Sequence, residues 1–130
     1  VTGAALLLAL SLRIQYLAPA DFVNEFGCVG VPAGGTQPVL GWSSTLLVLK
    51  LDGAVLRFAP EKTSELPTGD ERPGARVRQE WKSGPVSAFL DLVRTGGGES
   101  SWEGDLTVRK CNGTEVGPPK TIRIRIDCGC

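Results

Sequence analysis

Four cysteines, Cys28, Cys111, Cys128 and Cys130, offer the widest range of chemistry in this chain. Thiolates bind soft metals, attack electrophiles or pair as disulfides, and spacing decides among these. A zinc site built from four thiolates wants paired Cys-X2-Cys knuckles. Here the one close pair is Cys128-Gly-Cys130, with a single residue between. A redox Cys-X-X-Cys motif is absent. Disulfide bonding remains, and four cysteines suffice for two bonds. Cys28 pairs with Cys111 or with one of the terminal pair. The other terminal cysteine, Cys128 or Cys130, is then free to join a partner chain.

Other catalytic chemistry finds little support. The chain has no histidine. A Ser-His-Asp triad, a Cys-His pair and a His-ligated metal are therefore excluded within it. Ser43-Ser44 and Ser100-Ser101 have no base to activate them. Asp21, Glu25, Asp91, Glu99, Glu103 and Asp105 are carboxylates of the kind a glycosidase pairs, but no spacing singles out two of them. Gly96-Gly97-Gly98 lacks the Lys-Ser/Thr and helix of a phosphate loop and reads as a hairpin tip. The expectation is a protein that is not an enzyme and carries no metal or cofactor.

Recognition is the better-supported class. Trp81 and Trp102 sit in polar surroundings and could contact a protein partner or a sugar, whereas Trp42, in an apolar setting, reads as core. Arg76, Arg78, Arg123 and Arg125 alternate along two candidate strands, and adjacent placement would make a basic face. Asn112-Gly-Thr114 is an N-glycosylation sequon directly after Cys111. The 130 residues carry 14 basic and 14 acidic side chains, a net charge of zero. That balance argues against a nucleic-acid partner. Even cysteines, the sequon and Gly-rich turns place the protein outside the cytoplasm, secreted or on the outer face of a membrane. The absence of methionine points to a processed product or an excised piece. Residues 3–12 resemble the apolar region of a signal peptide but lack a basic segment before them, and the run is too short to cross a bilayer as a helix.

The elements that would hold these residues are strands, in one domain spanning residues 1–130. Ile122, Ile124, Ile126 and Cys128 alternate with Arg123, Arg125 and Asp127, a strand with one dry face. Leu8, Leu10, Leu12, Ile14 and Tyr16 suggest a long first strand. Asp52-Gly53 is a type I′ hairpin signal. Folding there sets Leu51 against Ala54, Leu49 against Leu56 and Leu47 against Phe58. A second hairpin joins residues 86–93 to residues 102–108 through the flexible stretch 95–100. A third joins 106–111 to 122–128 through a loop at 112–119, completing a three-strand meander. Residues 60–73 are polar and read as a surface loop, and residues 75–81 as one more strand.

Seven to nine strands without helices imply a sandwich or a barrel. Cys28, Trp42 fourteen residues on and Cys111 eighty-three residues on resemble the immunoglobulin superfamily pattern of a strand-B cysteine, a strand-C tryptophan and a strand-F cysteine. The segment Trp102-Glu-Gly-Asp-Leu-Thr-Val108 is similar to that family's approach to strand F, with Leu106 in the tyrosine place. The resemblance implies an antiparallel β-sandwich, a Cys28–Cys111 bond and recognition of a protein partner by sheet face and loops, as in a receptor ectodomain or secreted protein. A different sandwich is the alternative fold, and a Cys111–Cys128 bond would instead staple the terminal hairpin. Rival functions are a carbohydrate-binding sandwich using Trp81 or Trp102, and a structural subunit of a coat, filament or matrix that self-associates through its termini.

Overall fold

A computed structural model describes residues 12–21, 27–65, 67, 71–96 and 101–128. Among these the strands are, in chain order, β1 (Ile14–Gln15), β2 (Cys28–Pro32), β3 (Leu40–Trp42), β4 (Leu47–Leu51), β5 (Ala54–Pro60), β6 (Arg76–Ser83), β7 (Val86–Arg94), β8 (Ser101–Asn112), β9 (Glu115–Val116) and β10 (Lys120–Cys128), with a 3-10 turn at Pro19–Asp21. Leu8, Leu10 and Cys130 lie outside the described residues, as does most of the 95–100 hairpin tip. The expected long first strand is thus seen only at Ile14–Gln15.

The sheet closes on itself. Each strand pairs antiparallel with its predecessor from β2 through β8, β10 follows β8, and β10 returns to β2. The result is an eight-stranded up-and-down barrel, with β1 and β9 as short additions on β4 and β8. This overturns the immunoglobulin-like sandwich, and with it any two-sheet sandwich. A sandwich needs strands that cross between two sheets and leaves four edges, whereas here each barrel strand has a neighbour on both sides. Strand twist accumulated over eight meander strands brings the first to the last.

Local chemistry explains the hairpins. Asp52 and Gly53 take φ of 49° and 84°, the positive values a type I′ turn requires. The register that follows is the one expected: Leu51 opposite Ala54, Leu49 opposite Leu56, Leu47 opposite Phe58. The meander β7-β8-β10 also forms as expected, with Leu106 and Val108 inward. The polar stretch after Pro60 runs beside β6. Glu61 N–H donates to the Glu80 carbonyl at 2.8 Å and Glu65 N–H to the Arg78 carbonyl at 3.0 Å. These bonds extend the short β5–β6 ladder of two residue pairs.

Alternation sends Leu40, Leu47, Leu49, Phe58, Leu90, Leu92, Leu106, Ile124 and Ile126 inward, where all are essentially fully buried. The three tryptophans join them. Trp42 meets Trp102 edge to face, with centroids 5.9 Å apart and planes at 84°. Each large side chain contributes roughly 1.5–3 kcal/mol by burial before the cost of ordering. The barrel interior is therefore a packed core.

One polar side chain sits in it. Gln79, 3% exposed, accepts the indole N–H of Trp42 at 2.8 Å and of Trp81 at 3.0 Å through its Oε1. Its Nε2 donates to the Glu65 carbonyl at 2.9 Å, which ties the 61–65 segment to the core. A buried amide is tolerated when its groups are satisfied, and its loss leaves donors without partners. Gln79→Leu keeps the volume but orphans two indole donors. Urea unfolding should report a loss of about 2 kcal/mol, with a shift in tryptophan emission.

Residues 12–17 pack against one end of the barrel. Arg13 N–H donates to Asp52 Oδ1 at 2.9 Å, and Asp52 N–H to the Arg13 carbonyl at 3.1 Å. Leu12 joins the core cluster from this side. Farther along, Ala18 N–H donates to Asp21 Oδ2 at 2.7 Å, and Lys50 approaches the same oxygen at 3.4 Å. The hydrogen bond first, then the ammonium, holds the Asp21 carboxyl below its ordinary value.

Candidate binding cleft at one end of the barrel

Strand direction sorts the sequence-derived candidates between the two barrel ends. At one end Cys28 and Cys128 face each other across the β2–β10 pairing, Cα atoms 4.0 Å apart, and form a disulfide. The bond spans the seam where the barrel's first and last strands meet. Cys111 is a free thiol, half-buried, at the far end of β8. Trp102 lies beside Ile126 near the disulfide, and Cys111 is nine residues farther along the strand, roughly 30 Å away. Neither Cys28–Cys111 nor Cys111–Cys128 pairing is compatible with that separation. With Cys128 consumed internally, a link to a partner chain cannot use it.

Trp81 and Trp102 are 0% and 2% exposed. Both project into the barrel, so neither offers an indole face to a sugar or a partner. The arginines do not gather either. β7 and β8 separate β6 from β10 and bring acids between them: Arg76 pairs with Asp91 at 2.8 Å and Arg123 with Asp105 at 3.5 Å. Arg125 pairs with Asp127 at 3.2 Å. The outer wall there is a solvated face with its charges offset. Asp91, Glu103 and Asp105 stand on this wall, Asp21 lies in the 3-10 turn, and Glu25 and Glu99 lie outside the described residues. No group of three or more His, Cys, Asp or Glu side chains suited to a metal occurs among the described residues.

Among the described residues, the end opposite the disulfide carries site-like geometry. An open cleft of about 680 Å³ lies where residues 12–16 border the barrel mouth. Its apolar surfaces come from Leu12, Ile14, Pro32, Val39 and Ile122. Arg13, Tyr16, Asp52 and Lys120 complete the lining. Volume and lining suit a small ligand, and barrel mouths are a recurrent place for one. Tyr16 is 54% exposed, large for an aromatic side chain. Asp52 is engaged by the Arg13 backbone N–H, whereas the Arg13 guanidinium and the Lys120 ammonium form no ion pair with a described residue. The cleft thus combines an apolar floor with two cations that have no acidic partner among the described residues.

Asn112 stands at the same end. It is the exposed last residue of β8, just before the turn at Gly113, φ 63°, that leads to β9, a position open to a glycan. Sequence reasoning missed the cleft because its walls come from five separate stretches of chain. It also missed Gln79, whose polar neighbours suggest a solvated strand. No protein-family model, curated protein or solved structure matches this chain.

Proposed function

We propose that this chain is a non-enzymatic binding module of an oxidising, extracytoplasmic setting, secreted or on the outer face of a membrane, that engages its partner at the cleft end of the barrel. The observation that carries this reading is the division of the molecule: a filled interior and an open, apolar, cation-bearing cleft at one mouth. A packed core makes the barrel a scaffold, so recognition falls to the outside. The loops at residues 33–38 and 112–119 flank that mouth and give a protein partner something to grip. The Cys28–Cys128 bond supports the oxidising setting, because such bonds are rare where thiols are kept reduced. The exposed sequon at Asn112 points the same way. The carbohydrate-platform alternative loses its residues with the burial of Trp81 and Trp102.

The test uses protein recovered from its native source and a photo-crosslinking side chain placed at Tyr16 or, as a control, at Arg78 on the outer wall. Position 16 should yield a discrete adduct and position 78 none. The Asn112 peptide should gain mass from a glycan. Equal labelling from both positions would remove the cleft as the recognition site, and an unmodified Asn112 peptide would count against the secretory setting.

A further inference from the structure

We infer that the cleft accommodates a small amphipathic anion, an aliphatic chain ending in a carboxylate. The inference rests on the cleft end being the recognition site and goes beyond the protein partner proposed there, adding a small ligand held in the cleft itself. Three observations lead to it. The floor is hydrocarbon from Leu12, Ile14, Val39 and Ile122, which asks for an apolar body. The cleft's volume, about 680 Å³, is in the range of small-ligand sites and too small for a folded partner to enter. The charges at its edge are unequal. Arg13 and Lys120 are exposed and without acidic partners among the described residues, while the one lining carboxylate, Asp52, already accepts a backbone N–H.

An anion entering head-outward would therefore meet two cations with its carboxylate while its chain covers the floor. A guanidinium offers two parallel donors to a carboxylate and an ammonium a rotatable point charge, so the pair tolerates some variation in head-group position. A neutral alcohol of equal length would gain the floor and lose the charge contacts. A quaternary ammonium would be repelled. The exposed Tyr16 ring can lie against the first methylenes of the chain. Because methylene burial drives the apolar part, affinity should rise about fourfold for each CH2 added until the cleft is full.

Calorimetric titration of the whole protein with decanoate, decanol and decyltrimethylammonium, each below its micellar concentration, separates these contributions. Decanoate should bind at least tenfold more tightly than decanol, and decyltrimethylammonium more weakly than either. The double variant Arg13→Gln with Lys120→Gln should remove the preference for decanoate and leave decanol binding unchanged. Both positions are exposed, and an unaltered thermal unfolding curve would confirm that the variant folds. Ile122→Trp, which intrudes on the floor, should weaken all three. Equal binding of decanoate and decanol, with both weakened by Ile122→Trp, would overturn the anion inference and leave the cleft as a recognition site. Failure of every amphiphile to bind would overturn the inference, whereas the cleft reading would then stand or fall on the crosslinking result alone.

Discussion

Removing the seam disulfide with Cys28→Ala and Cys128→Ala should lower stability by roughly 4–5 kcal/mol, the entropy of a closed loop of about a hundred residues released to the unfolded chain. The two cysteines are separated by 100 positions, so the bond encloses almost the whole barrel. For a domain whose net stability is about 5–15 kcal/mol, that is a large share of it. The midpoint of thermal unfolding should fall by about 15–20 °C. The effect is expected to be large at this place for a second reason. β2 is only five residues long, and although all five pair with β10, the closing ladder is shorter than the β7–β8 or β8–β10 ladders. Urea unfolding of the oxidised, reduced and doubly substituted protein checks the expectation. The dependence of free energy on urea should also steepen without the bond, because the uncrosslinked chain exposes more surface on unfolding. A midpoint shift worth less than about 1 kcal/mol would mean that backbone pairing and packing close the barrel unaided.

How much of this was legible in the sequence depends on the distance over which each feature is encoded. The hairpin at Asp52 and Gly53 was readable down to its register, because turn chemistry and alternation are set within a dozen residues. The β7-β8-β10 meander followed for the same reason. Barrel closure was not readable. It depends on residues 28–32 meeting residues 124–128, and a one-dimensional pattern of apolar and polar residues is equally consistent with two packed sheets. The succession of hairpins without a long crossover was a signal for a barrel, outweighed by the Cys28, Trp42 and Cys111 spacing. That spacing ignored the alternation of β8, which puts Cys111 out of phase with the inward Leu106 and Val108, and it could not show that Cys28 and Cys128 meet across the closing ladder.

The tryptophans show a different failure. Trp81 is flanked by Glu80 and Lys82, and Trp102 by Ser101 and Glu103. Those neighbours made both look exposed. On a strand, however, adjacent residues face opposite sides, and the company a side chain keeps is set by positions two away and across the ladder. Trp81 lies opposite Ala88, and Trp102 opposite Ile126, both fully buried. Gln79 was hidden by the same effect, between Arg78 and Glu80 but facing Leu90. Its inward place makes sense only beside two indoles that need an acceptor, and the pairing with Trp42 spans 37 residues.

Gly104 carries the second large expectation: Gly104→Ala should cost at least about 3 kcal/mol, at the top of the range for overpacking a core. Gly104 occupies an inward position on β8 between Trp102 and Leu106, with Leu92 of β7 and Ile124 of β10 on either side. A Cβ placed there would lie 1.8 Å from the Asp91 carbonyl oxygen, 2.8 Å from its carbon and 2.9 Å from Leu92 Cα. All three are backbone atoms, so no rotamer change relieves the overlap. Relief requires β7 and β8 to separate, along a ladder whose paired residues run from Val86 with Lys110 to Arg94 with Trp102. Glycine within a strand commonly marks a tight bend where a sheet coils into a barrel. Gly96→Ala provides the control, because a Cβ there meets nothing within 4 Å, and it should stay within about 0.5 kcal/mol of the parent. Urea unfolding gives the magnitude, and amide exchange gives the location. Lost protection should concentrate in β7 and β8, and spare the β4–β5 hairpin on the other side of the barrel. An alanine variant within about 1 kcal/mol of the parent would show that β7 and β8 do not approach this closely in solution, and that curvature is spread along the strands.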